Sequence, residues 1–205
     1  FHRDIAQALN AIEQATDRLA AERASKPLRV RVYTTFAAKW LLARLLSFQS
    51  KYPHVQLHLS NSVKPVDFTR NEVDFAIQLG NGNWPNARSE LLFPDMLQPV
   101  CSPRLLQADP PLREIGDLAR HRLLHARYRR RDWQDWLHSV GSTLELPQDC
   151  QIVFDSSLLA YQAAIEGMGV AIGQINLLKS DFASGLLVPL FDRPLQRDLG
   201  YYAVW

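Results

Sequence analysis

The sequence predicts an α/β fold: two successive α/β units behind an N-terminal helix. Three observations predict it. Phe1 to about Ala24 contains neither Pro nor Gly and carries apolar residues at helical spacing. Beyond Pro27, extended runs of period two alternate with helical runs, the order expected of βαβ units. An extended, proline-bearing segment, Leu91 to Cys101, then separates a first set of elements from a second.

In the N-terminal segment Ile5, Leu9, Ile12, Thr16 and Leu19 recur at spacings of four, three, four and three, between charged residues such as Arg3, Asp4, Glu13 and Arg18. The stripe is narrower than the apolar face of a usual globular helix. A second copy of itself is its simplest partner, as in a coiled coil; packing on its own domain is the other reading. Ser25, Lys26 and Pro27 break the pattern, so residues 1–26 read as a separate helix that pairs with a second copy.

Leu28, Val30 and Val32 then fall on one face of a strand, Ala37 to Phe48 reads as a helix, and Val55, Leu57 and Leu59 form a second strand. A short helix is expected near Pro65 to Arg70. Val73 to Leu79 is apolar almost throughout, as suits a strand covered on both faces, and Gly80 to Asn83 turns the chain. Pro94 and Pro99 each remove a ladder donor, which favours a strand that leaves one sheet and enters another. Further strands are expected at His121 to His125, Gln151 to Phe154, Val170 to Gly173 and Leu186 to Phe191. Helices at Asp132 to Val140, Ser157 to Glu166 and Leu177 to Ser184 separate them. Leu199 to Trp205 is extended and aromatic, and reads as a strand returning to the first unit. Residues 27–98 with about 200–205 thus form one subdomain, and 99–199 the other.

Composition narrows the function. With 205 residues, 47% of them hydrophobic, the chain is an ordinary globular one. No apolar run reaches the ~18 residues that a membrane helix needs, and the N-terminus lacks a secretory pattern, so a cytoplasmic protein without membrane partners is expected. The absence of an initiator Met before Phe1 points to a segment upstream. A net charge of +2 is too small for a DNA-gripping surface, and Arg127 to Arg131, the densest basic run, reads as solvated or partner-facing. Cys101 and Cys150 fit no metal spacing and read as free thiols. The six histidines form no ligand pattern, and His125 reads as a satisfied structural histidine. No nucleophile elbow, phosphate-cradling glycine loop or singled-out carboxylate pair is present. The sequence therefore points to binding without catalysis, cofactor or metal.

Ligands of open α/β sheets gather where strands end and helices begin, because the first helical N–H groups lack partners. Two such places stand out. At the first, Thr34, Thr35 and Phe36 open a helix after Tyr33; either the hydroxyls and amides cradle an anion or a Thr caps its own helix. At the second, Phe154 closes a strand and Asp155, Ser156 and Ser157 precede a helix. One of these three caps it, Asp155 being the expected one, which leaves a hydroxyl for a ligand and Phe154 as an apolar wall. Gln78 and Gly80 end the third strand beside Trp84, which either covers a ligand or packs beside Pro85. Tyr201 and Tyr202 alternate faces on the returning strand, so one of them reaches the site.

Several segments, in order, resemble the LysR-type regulators, within them the subfamily of the glycine-cleavage activator and the β-lactamase-inducing regulator. They are TTFAAKWLLARLLSFQSKYPHVQLHLS, VDFAIQLGNGNW, PVCSPRLL, RRRDWQDWL, VFDSSLLAYQAAIEGMGVAIG and LGYYAVW, which together span nearly all of Leu28 to Trp205. Ala43 and Gln174 stand where that family usually or often has Pro. The resemblance implies a type II periplasmic-binding-protein-like fold, two lobes joined by two crossover strands, with a small-molecule effector in the cleft. It carries the cleft residues onto Thr35, Ser156 and Tyr202, within an expected ligand-binding set of Thr34, Thr35, Phe36, Gln78, Gly80, Trp84, Val100, Phe154, Asp155, Ser156 and Tyr202. It further implies a homodimer or tetramer, a winged helix-turn-helix before Phe1 that binds DNA, and a closing helix after Trp205. A solute-binding protein of a transport system is the alternative that shares the fold.

Overall fold

The computed structural model describes residues 26–68, 72–107, 109–146 and 150–205. The stripe Ile5, Leu9, Ile12, Thr16 and Leu19 lies outside them, as does part of the helix expected near Pro65 to Arg70. The chain divides into two compact units: the first runs to Asp95 and resumes at Asp198–Trp205, and the second is Met96–Arg197. The chain passes from one to the other along β4 (Ser89–Cys101) and β9 (Leu195–Val204).

Unit 1 is built on three parallel strands, β1 (Leu28–Val32), β2 (Leu57–Asn61) and β3 (Phe75–Gly80), in the order β2-β1-β3, with β9 antiparallel beside β3. The alternation read in β1 is real: Leu28, Val30 and Val32 are buried, while Arg29 and Arg31 take the other face. There Arg29 grips Asp74 bidentately, Nε at 3.0 Å and Nη2 at 2.7 Å, and ties β1 to the approach of β3. Helix α1 (residues 34–51) follows β1 directly. It starts as Thr34–Phe36, widens through a π turn at Ala37–Leu41 and continues as Leu42–Lys51. In the wide turn Leu42 bonds back five residues to Ala37, and Arg44 Nη1 donates to the Trp40 carbonyl at 2.7 Å.

Unit 2 is a mixed sheet covered on both faces. β5 (Leu123–Ala126) lies between β6 (Gln151–Phe154) and β7 (Val170–Gln174), parallel to both; the last part of β4 runs antiparallel to β7 and to the short β8 (Val188–Pro189). Neighbouring residues point to opposite faces. Leu123, Val170 and Ile172 join Trp133 and Trp136 of α2 (Asp132–Ser139) in one core. Leu124 and Ala171 join Ala160, Tyr161 and Ala164 of α3 (Ser157–Ile165), with Leu178 before α4 (Lys179–Ala183), in the other. Double coverage is why these strands read as unbroken apolar runs.

Three expected boundaries move. The strand expected from His121 begins at Leu123 because His121 ends a 3-10 turn, Ile115–Arg120. The strand expected over Leu186 to Phe191 shrinks to Val188–Pro189, since Phe191 and Asp192 take left-handed backbone angles, φ 64° and 42°, that no strand continues through. The helix expected from Leu177 starts at Lys179.

Candidate functional site

In unit 1, β1 and β3 are parallel and end at the same edge of the sheet. Tyr33 links the two ends, its hydroxyl accepting the Leu79 N–H at 3.3 Å. Tyr33 is also the N-cap of α1, in extended conformation and without a side-chain capping bond. The capping role open to Thr34 or Thr35 is therefore filled by neither. Thr34 is exposed and Thr35 is buried, at 7% exposure. Phe36 is fully buried, with ring centroids 5.0 Å from Trp40, 5.9 Å from Phe93 and 5.1 Å from Tyr201. Its side chain holds the core, which leaves only its backbone for a ligand.

The β3–β9 register brings Gln78 opposite Tyr202 and Gly80 opposite Gly200. Gln78 is buried, and its amide donates to the Ile77 carbonyl at 3.2 Å. Trp84 turns back over β3. Its ring sits where a side chain on Gly80 would be, 2.8 Å from an ideal Cβ, and 5.2 Å from the Tyr202 ring. The turn itself requires glycine: Gly82 has φ +93° and lies under the Tyr202 hydroxyl. The two tyrosines thus separate as the alternation demands. Tyr201 joins the Phe36 core; Tyr202 stands with Trp84 at the strand ends.

In unit 2, β5 and β6 are parallel and also end together. Ser156 caps α3, accepting the Leu159 N–H at 3.4 Å. This corrects the expectation for Asp155, which is exposed and pairs with Arg127 at 2.6 Å. Ser156 keeps its O–H to donate while its oxygen caps. Phe154 is half-buried at the edge of the α3 core. Val100 is fully buried, against the position a Cβ on Gly173 would take, with its backbone in the ladders to β7 and β8; it is a core residue and offers no side chain to a ligand.

Sequence reasoning missed a second polar group at the end of β5. Arg129, read as part of a solvated run, is nearly buried and bonds Asp132 at 2.6 Å; Arg197 reaches the same carboxylate at 3.1 Å and Asp135 at 3.2 Å. His125 is not the satisfied histidine expected, because its Nε2 is buried with no hydrogen-bond partner among the described residues. Burial and, after it, Arg130 push its pKa down. The i,i+3 spacing of Arg129 and Asp132 was the one available signal. Among the described residues no group of three metal-ligating side chains occurs, and no helix is long and apolar enough to cross a membrane.

The family profile described as LysR substrate binding domain matches residues 21–205. This chain is a LysR substrate-binding domain. The domain is 38% identical over 201 residues to the glycine cleavage system transcriptional activator of Escherichia coli K12, a match covering 98% of the chain and 65% of that protein. It therefore spans about two thirds of the length of that curated relative. Among solved structures it resembles the effector domain of the transcriptional regulator AmpR of Pseudomonas aeruginosa, with TM-score 0.74, 31% identity, and coverage of 88% of this chain and 85% of that one. It resembles equally an effector binding domain of Citrobacter freundii carrying three substitutions, Thr to Val, Ser to Ala and Tyr to Phe, at 30% identity and TM-score 0.74, covering 88% of each chain. The α/β fold of this LysR substrate-binding domain is accordingly the periplasmic-binding-protein-like fold of the LysR regulatory domains.

Proposed function

We propose that this domain senses a small metabolite for a LysR-type transcriptional regulator, and that hydroxyls at its strand ends recognise the effector. Thr35 and Tyr202 supply hydroxyls in unit 1, with Thr34, the Phe36 backbone, Gln78, Gly80 and Trp84 framing them. Ser156 supplies a hydroxyl in unit 2, with Phe154 as an apolar wall and Asp155 at the rim. The observation that carries this reading is the unit 1 strand edge: β1 and β3 run parallel toward the same edge, a Thr opens a helix that no side chain caps, and Tyr202 is fixed beside Trp84. A carboxylate or another polar head group suits hydroxyls and first-turn amides of this kind. The Citrobacter freundii variant, in which one Thr, one Ser and one Tyr are replaced, names the same three residue types.

On this reading the domain catalyses nothing and acts in the cytoplasm. Residues 1–26 join a DNA-binding helix-turn-helix domain and pair with another copy through Ile5, Leu9, Ile12, Thr16 and Leu19, in a dimer or tetramer. The effector works only through unequal affinity for two arrangements of the regulator, and a few kcal/mol of preference is the scale required.

A thermal-shift and calorimetric screen of amino acids, aromatic acids, purines and cell-wall peptides tests the reading. One class is expected to raise the melting temperature, and Thr35→Val and Tyr202→Phe are each expected to weaken its binding about tenfold, the worth of one good hydrogen bond. If no class stabilises the domain and the Thr35→Val and Ser156→Ala alleles regulate normally in cells, the reading fails.

A further inference from the structure

Unit 2 carries a basic surface patch that the proposed effector role leaves unused. The 3-10 turn Arg127–Arg129 runs directly into α2, whose N-cap is Arg131. Arg127, Arg129, Arg130 and Arg131 do not share one fate. Arg129 turns inward to Asp132, while Arg127, Tyr128, Arg130 and Arg131 are exposed. Tyr128, at 62% exposure, is the only exposed Phe, Tyr or Trp among the described residues. The neighbouring acids do not answer the outward charges. Asp132 is held by Arg129 and Arg197, Asp135 by Arg197, and Asp155 by Arg127. Arg130 and Arg131 make no ion pair and no side-chain hydrogen bond among the described residues. They also stand before the start of α2, which no side chain caps, where the helix dipole favours an anion and opposes a cation.

Two positive charges that work against the helix they precede, beside an exposed ring, are the composition of a binding surface. Tyr and Arg are the side chains enriched at the centres of protein interfaces, and a guanidinium pairs with a carboxylate through two parallel hydrogen bonds. The patch is a single turn of chain, whereas a duplex is gripped through a longer row of cations. An acid also lies within it, since Asp155 is 2.6 Å from Arg127, and would repel a phosphate backbone. We infer that Arg127, Tyr128, Arg130 and Arg131 form a docking surface for an acidic segment of a partner protein, with its carboxylates on Arg130 and Arg131 and an apolar side chain on Tyr128. The surface lies wholly in unit 2 and does not depend on the effector reading.

The test is fluorescence anisotropy of a labelled peptide of alternating Glu and Leu, with a Gln and Leu peptide as its neutral counterpart and a duplex DNA of arbitrary sequence as a second polyanion. The Glu peptide is expected to bind saturably, and the Gln peptide at least about tenfold more weakly. The Arg130→Glu, Arg131→Glu double variant is expected to lose at least about tenfold in affinity for the Glu peptide, and Tyr128→Ala severalfold. Arg104→Glu, which alters charge at an exposed arginine elsewhere in unit 2, is expected to leave that affinity unchanged. Because an anion suits a helix start, the double variant is also expected to keep or raise its urea midpoint; a lower midpoint would show the arginines to be structural and overturn the proposal. Absence of saturable binding by the Glu peptide overturns it as well. So does an equal loss in Arg104→Glu, the mark of attraction by net charge alone. Tighter binding of the duplex that the double variant abolishes would make the patch a phosphate surface and equally overturn it.

Discussion

Gly80 has no side chain, and the indole of Trp84 occupies the space one would fill, 2.8 Å from an ideal Cβ. Gly80→Ala is therefore expected to dislodge that ring and loosen its contact with Tyr202, at a stability cost of about 1–3 kcal/mol, the range for overpacking. Near-UV circular dichroism should change while the far-UV spectrum does not; an unchanged near-UV spectrum would show that the ring stays. At this scale the sequence was partly legible. Spacing alone could not choose between Thr34 and Thr35, because two adjacent residues at a helix start differ only in which way they face. The structure separates them by burial. His125 was misread for a related reason: whether a buried ring nitrogen finds a partner depends on residues distant in sequence, and among the described residues none reaches it. Gln174 stands where the resemblance led to Pro. Its backbone N–H donates to the Tyr161 hydroxyl at 3.0 Å, a bond that Pro cannot make.

At the scale of elements, period and turn residues located most of the strands and helices. β6 was read to its last residue, and β7 and α3 to within one. What they missed were ends set by backbone geometry, as where Phe191 and Asp192 stop β8. The cap of α3 is another such end. Asp155 and Ser156 are both good capping residues, and the cap is Ser156, whose hydroxyl oxygen accepts the Leu159 N–H, while Asp155 pairs with Arg127. Ser156→Ala is expected to destabilise the chain by about 1 kcal/mol in urea unfolding. Asp155→Ala removes only an exposed pair and is expected to cost less than about 0.5 kcal/mol. Equal effects of the two would put the cap elsewhere.

For the molecule as a whole, acid stability depends in part on Asp117. Its carboxylate accepts the N–H of Arg113 at 2.8 Å and of Glu114 at 3.0 Å and also meets Arg120; these bonds, the backbone pair first, hold its pKa down at about 2. The depressed value belongs to the folded state, so the contribution is complete above the ordinary carboxylate range. It is lost as the pH falls from about 4 toward about 2. Asp117→Asn, which cannot titrate, is expected to lose less stability than the unaltered chain between about pH 7 and pH 3, measured by the urea midpoint. Equal losses would mean that Asp117 takes no part. The fold class was legible at this scale because alternating strand and helix patterns with one proline-bearing crossover admit few arrangements.

The nesting of one unit inside the other also bears on how the chain is made. The part of β9 that pairs with β3, Gly200–Val204, comes after all of Met96–Arg197. A ribosome therefore delivers the inserted unit before the enclosing sheet receives this strand. The later-encoded unit can finish first, while the earlier one waits, incomplete, with the β3 edge unpaired until Gly200–Val204 emerge.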